Sequence, residues 1–153
     1  MCKVLLVNDC KLENFIMRDM LISLGYEVII SNELNAVNDA IELNCNVIIA
    51  NFIMKEKTGD KILQQIKHMQ PQAKCILSSS NDIKLEDLNK KVIDAFIHTP
   101  VTKEKLEKVV KENGQMIYEY RRHLKPLFCK HCGQKSDDSD GKARFCKYCG
   151  GKI

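Results

Sequence analysis

Short apolar runs alternate along this chain with apolar residues at helical spacing, and that alternation limits the folds open to it more than any other feature. The first unit is Lys-Val-Leu-Leu-Val at positions 3–7, then Asn8-Asp9, then Leu12, Phe15, Ile16, Met20, Leu21 and Leu24 before Gly25 ends the stripe. This reads as strand followed by helix. The unit recurs, predicting strands near 27–31, 46–51, 74–79 and 93–98 and helices near 35–43 and 60–68, with a short helix around 85–91. A last helix starts after Thr102, whose hydroxyl is placed to cap it, and runs to about Arg122. Strands alternating with helices predict a parallel sheet covered on both faces. Five such units fit an α/β, flavodoxin-like, doubly wound five-stranded parallel sheet, with its ligand site at the carboxyl ends of the strands.

The rest of the composition agrees with one such domain and a small appendage. The 153 residues are 44% hydrophobic and 29% charged with only 7 Gly and 3 Pro, which excludes collagen-like and wholly disordered chains. The longest apolar stretch, 47–54, is interrupted by Asn51 and falls far short of the roughly 20 residues that cross a bilayer. The first residues reach Asp9 after a short apolar run, where a signal peptide needs about 7–15 apolar residues. A cytoplasmic protein with no membrane partner is the expectation.

Charge and cysteine are both unevenly placed. Residues 1–112 carry 15 Lys and Arg against 16 Asp and Glu, whereas residues 113–153 carry 9 against 4, so the whole net charge of +4 arises in the tail. Cys2, Cys10, Cys45 and Cys75 are scattered among apolar residues, where free cysteine acts as a small hydrophobe. Cys129, Cys132, Cys146 and Cys149 form two C-x2-C pairs. In a chain without a secretion signal this spacing favours metal over disulfides.

Over residues 1–112 the sequence resembles the receiver domain of two-component response regulators. The likeness is carried by KVLLVND, LISLGYEV, NVIIANFIMKEKTGDKIL, AKCILSS and DAFIHTPVTKEKL, and so is spread over the whole predicted fold. In that family an Asp ending the third strand accepts a phosphoryl group, two acidic residues after the first strand hold Mg²⁺, a Ser or Thr follows the fourth strand, and a Lys precedes Pro after the fifth. Matched position by position, the acceptor is Asn51, the acidic pair is Asn8 and Asp9, the hydroxyl is Ser79, the aromatic switch is Phe96, and the Lys position is Thr99 before Pro100. Lys55 replaces the usual Pro of the loop, while Met54 and Gly59 keep their places. Three of the five chemical positions have thus changed type. An amide cannot form an acyl phosphate, so Asn51 is not expected to be phosphorylated. With Asp9 the one acid left at the family's positions, Mg²⁺ is not expected as a cofactor. Losing the Lys together with the acceptor carboxylate leaves a nearly neutral pocket, because a Lys facing an amide would be a buried cation without a partner.

The tail holds C-K-H-C-G and C-K-Y-C-G, two near copies. Two Cys at i and i+3 in a tight turn can point both thiolates at one ion, and the following Gly permits the positive φ that closes the turn. Residues 128–153 resemble the zinc-ribbon family, with Cys129, Cys132, Cys146 and Cys149 as ligands of one structural Zn²⁺; iron is the minor alternative for four sulfurs. His131 reads as a surface residue of the first turn, and Asp137, Asp138 and Asp140 as a solvated hairpin. So small a unit has too little core to fold without its metal.

These readings give three parts: a receiver-like (pseudo-receiver) domain at 1–112, a helical extension or linker at 113–127, and a zinc ribbon at 128–153. The apolar stripe Leu106, Val109, Val110, Ile117 and Tyr120 of the last helix either covers the sheet or joins two copies in a homodimer. No constellation of nucleophile, base and orienting group appears, so no catalytic residues and no enzyme are expected. The function expected is that of a bacterial signalling protein that docks protein partners. Two alternatives stay open: a regulator that contacts nucleic acid through the basic ribbon, and an ordinary phosphorelay response regulator.

Overall fold

The computed structural model describes residues 2–123. Five strands, β1 (Lys3–Val7), β2 (Glu27–Ser31), β3 (Val47–Asn51), β4 (Lys74–Ser79) and β5 (Ala95–His98), form one sheet in the order β2-β1-β3-β4-β5. Every pairing is parallel, with Val4 beside both Val28 and Val47, Ile49 beside Ile76, and Leu77 beside Phe96. Helices α1 (Lys11–Ser23), α2 (Ala36–Glu42), α3 (Gly59–Met69) and α4 (Lys103–His123) complete the alternation among the described residues. This is the flavodoxin-like doubly wound fold that the periodicity predicts.

Alternation along the central strands divides the core in two. Leu5 and Val7 of β1, Ile48 and Ala50 of β3 and Cys75 and Leu77 of β4 face α2 and α3, whose Ala40, Ile62, Leu63 and Ile66 are fully buried. Val4, Leu6, Val47, Ile49 and Ile76 point the other way, onto Met17 and Leu21 of α1 and Leu106 and Val110 of α4. Two buried faces explain why these strands read as continuous apolar runs. Leu106, Val109 and Val110 therefore cover the sheet; Ile117 and Tyr120 of the same stripe have no described side-chain packing.

Two helices end in the same way with different residues. After α1, Gly25 takes φ +92°, its N–H bonding Ile22 O at 3.0 Å while Tyr26 N–H bonds Leu21 O at 3.1 Å. After α2, Asn44 takes φ 53°, with Asn44 N–H on Ile41 O and Cys45 N–H on Ala40 O. Both are the paired bonds of a left-handed helix stop, a conformation Gly adopts freely and Asn tolerates. The expected cap of α4 is also present, Thr102 Oγ1 accepting the Lys105 N–H at 3.3 Å.

Three expectations are corrected. The helix predicted around 85–91 is a single 3-10 turn, Leu85–Asp87, followed by a turn in which Asn89 Oδ1 accepts the Lys91 N–H; this local bond competes with helix formation. The fifth strand starts at Ala95 rather than Ile93, because Asp94 is taken up otherwise: its carboxylate accepts Cys75 N–H at 2.8 Å and pairs with Lys67 at 2.7 Å. Cys2, Cys45 and Cys75 are buried as small hydrophobes, but Cys10 is exposed ahead of α1.

The chain divides into two compact units, Met1–Ile117 and Tyr118–Ile153. The expected ribbon at 128–153, with Cys129, Cys132, Cys146 and Cys149, lies outside the described residues, as does the end of the expected linker. Among the described residues no helix is long and apolar enough to cross a membrane.

Candidate functional site

In this sheet β1 leads outward to β2 on one side, and the next strand, β3, lies on its other side. Such a reversal opens a crevice above the carboxyl ends of β1 and β3, where ligands of open α/β sheets bind. Asn8 follows β1 and Asn51 ends β3, and the register Val7 beside Ala50 makes them neighbours at this edge. Asn51 stands beside Ser78, Ser79 ends β4, and Thr99 N–H bonds Ser79 O at 2.9 Å. Parallel strands thus bring Asn8, Asn51, Ser79 and Thr99 to one edge. Phe96 lies lower on β5, beside Leu77 and half-buried against the core shared with α2 and α3.

The amides at this edge are already engaged. Asn8 Nδ2 donates to the Glu13 carboxylate in the first turn of α1, Asn8 Oδ1 accepts the Cys10 N–H at 3.0 Å, and Asn8 O accepts from Asn14 Nδ2 at 2.8 Å. Asn51 Nδ2 donates to Ile53 O at 2.8 Å, folding the side chain onto the loop that follows β3. Ser79 is 2% exposed and its Oγ accepts the Asn81 N–H at 3.1 Å. Thr99 is 3% exposed, and its Oγ1 finds no hydrogen-bond partner among the described residues. Asp9 is exposed.

The loop after β3 is held from two sides. Phe52 N–H bonds Ser78 O at 2.7 Å and Gly59 N–H bonds Phe52 O at 2.9 Å, which closes the loop on itself. From the β2–α2 connection, the buried carboxylate of Glu33 accepts the backbone N–H groups of Glu56 and Lys57, the latter at 2.8 Å. A carboxylate taking two N–H groups makes charge-assisted bonds, roughly twice as strong as neutral ones.

Two functional residues escape a reading of the sequence. Glu13 supplies a second carboxylate beside Asn8, so Asp9 is not the one acid near this edge; its place in the first turn of α1, five residues on from Asn8, was the available signal. Glu33 left no signal, since its partners lie 23 and 24 residues away and are main-chain groups that carry no sequence identity. Among the described residues no three His, Cys, Asp or Glu side chains come together as a metal-holding group.

No protein-family model matches the chain, and neither does any curated protein. Solved structures do. The response regulator TrrA from Thermotoga maritima, in complex with Mg²⁺-BeF, is 22% identical with a TM-score of 0.69, over 74% of this chain and 99% of that one. The receiver domain of the sensor histidine kinase PA1611 from Pseudomonas aeruginosa, with a magnesium ion coordinated in the active-site cleft, is 19% identical with a TM-score of 0.66, over 74% and 98%. A two-component response regulator from Clostridium difficile is 16% identical with a TM-score of 0.70, over 76% and 98%. At such identities the likeness establishes the fold, which is that of CheY-like receiver domains.

Proposed function

We propose that this chain is a non-catalytic signal-transduction protein, a pseudo-receiver that docks protein partners without being phosphorylated at Asn51 and that carries a structural zinc ribbon. One observation supports this most directly: at the carboxyl end of β3, where the receiver fold needs a carboxylate nucleophile, Asn51 offers an amide whose Nδ2 is bonded to Ile53 O at 2.8 Å. Its surroundings are consistent. Asn8 is bonded to Glu13, and a neutral, buried Thr99 occupies the position of the cation that would balance a phosphoryl group.

TrrA was solved in complex with Mg²⁺-BeF, and the PA1611 receiver domain with a magnesium ion coordinated in its active-site cleft. Mg²⁺ favours one or two carboxylates together with phosphate oxygens, a donor set that two amides and an exposed Asp9 do not match. The bond from Asn8 to Glu13 further occupies the carboxylate that could have substituted. The receiver fold then retains its surfaces and loses its chemical input.

The test is incubation of the full chain with acetyl phosphate and Mg²⁺ followed by intact mass measurement. An unchanged mass is expected, and an adduct of one phosphate on Asp9 or any other Asp overturns the reading. For the ribbon, elemental analysis of protein purified without chelator should return one zinc per chain; neither zinc nor iron, or a disulfide within either C-x2-C pair, refutes it. A second reading has its own support in the excess of positive charge at 113–153: the ribbon would contact nucleic acid, and binding that weakens steeply with salt would favour it.

A further inference from the structure

The connection between β4 and β5 leaves an open groove beside α3. Residues 80–94 contain only the 3-10 turn Leu85–Asp87, so among the described residues no helix covers this part of the fold and a groove of about 620 Å³ remains. Its floor is apolar: Phe52, Ile83, Leu88 and Val92 are half-buried, and Ile93 is buried. Its walls are acidic. Asp60 on α3 and Asp82, Glu86 and Asp87 on the connection line it, against one cation among the described residues, Lys84.

This charge is concentrated and largely unanswered. The lining carries four carboxylates to one ammonium, whereas residues 1–112 as a whole are close to neutral. Oδ1 of Asp60 is shut off from solvent and has no hydrogen-bond partner among the described residues. Glu86 and Asp87 are exposed and form no ion pair among the described residues, and Asp82 meets only His98, at 3.5 Å. An apolar floor with acidic walls complements a segment that offers apolar anchors flanked by Lys or Arg.

We infer that this groove docks a basic amphipathic segment of a partner protein, with apolar side chains at i and i+3 or i+4 on the floor and its cations against Asp60, Glu86 and Asp87. Asp60 and Gln64, one helical turn apart on α3, line the groove together with residues of 82–93, and an apolar floor flanked by acidic side chains suits an amphipathic segment laid into it. Complementary charge speeds the encounter and sets the orientation, and the apolar floor holds the segment in place. The inference rests on the docking role proposed above for its partner being a protein, and it names where that role is exercised.

The test titrates the full-length, ¹⁵N-labelled protein with a synthetic peptide of Leu at i, i+3 and i+4 spacing and Lys elsewhere, and with the same peptide carrying Glu for Lys. The Lys peptide should give saturable amide shifts centred on Phe52, Gln64, Ile83 and Leu88, and the Glu peptide none. The exposed double variant Glu86→Gln with Asp87→Asn should weaken binding about three- to tenfold, and adding Asp60→Asn should weaken it further. Absence of saturable shifts, shifts centred on Leu12 and Phe15 of α1, equal binding by the double variant, or the same shifts from spermidine alone each overturn the site. Protein that refuses both phosphate and peptide removes the groove and leaves the docking role; phosphorylation with peptide binding intact does the reverse.

Discussion

Gly59, the first residue of α3, packs so closely on the main chain of Asn51 that a Cβ added to it would overlap the Asn51 carbonyl oxygen and lie 2.8 Å from the carbonyl carbon. The neighbour is backbone at the end of β3, where Asn51 pairs with Ser78, and Leu77 Cδ1 closes a further side at 3.2 Å. Nothing there can yield cheaply. Glycine is thus required for close approach, with no demand on its φ, and it sets how near α3 starts to the candidate site. Gly59→Ala should cost about 2–3 kcal/mol, toward the upper end for overpacking. A thermal melt should show a fall on the order of 10 °C, and amide shifts at Asn51 should move with it. An unchanged melt would show that the loop gives way without cost.

Glu33 fastens the loop that Lys55 leaves without the customary proline. Its carboxylate takes the N–H groups of Glu56 and Lys57, the two residues after Lys55. Removing the acceptor loses two hydrogen bonds to a charged group, each worth about 1.5–3 kcal/mol. Glu33→Ala should therefore raise hydrogen exchange at the Glu56 and Lys57 amides by about tenfold or more. Glu33→Gln, which keeps an accepting oxygen without the charge, should fall between parent and Ala. Equal exchange in all three proteins would place the loop's stability elsewhere.

How much of this was legible in the sequence depends on where the determining partner lies. β1, β3 and β4 were readable because strands buried on both faces are apolar throughout, and the stops at Gly25 and the cap at Thr102 are local signals. The fate of 85–91 was not, since its apolar residues at helical spacing also suit a floor packed from one side, and the turn at Asn89 wins by one local bond. At the candidate site the replacements at positions 8, 51 and 99 were visible as residue types. What those side chains do was not, because Asn51 turns to a carbonyl and Glu33 reaches main-chain amides across the sheet edge. Distant backbone partners leave no imprint on sequence.

The buried thiols give a pH dependence with a definite sign. Burial pushes Cys45 up to about 11, opposed by nearby Lys3, and Cys75 up to about 12, opposed by Lys67, from an ordinary value of 9.0. Above pH 9 the unfolded chain loses these protons while the folded chain keeps them, so the folded state binds more protons and stability falls as pH rises. Their contribution is fully present below pH 9 and is lost progressively between pH 9 and about 12. Denaturant titrations at stepped pH should follow that course. Alkylation at pH 8, mapped by peptide mass, should label exposed Cys10 rapidly and Cys45 and Cys75 only after unfolding. Rapid labelling of Cys75 in the native protein would contradict its burial.

Thr99 is the sharpest probe of whether the edge residues form one electrostatic site. It is 3% exposed, and its hydroxyl lacks a partner among the described residues. Thr99→Lys alone places a cation there with an amide rather than a carboxylate at position 51, which should cost about 3–5 kcal/mol. The same substitution together with Asn8→Asp and Asn51→Asp should cost less, because the ammonium then faces new carboxylates, and the difference is a coupling energy read from denaturation of the single, double and triple variants. The triple variant should also show saturable Mg²⁺ binding, with shifts at positions 8, 51 and 79, where none is expected of the parent. Should Thr99→Lys cost the same with and without the two carboxylates, Thr99 does not share a site with Asn51. The fold would stand, but the neutral pocket would have to be assigned to other residues.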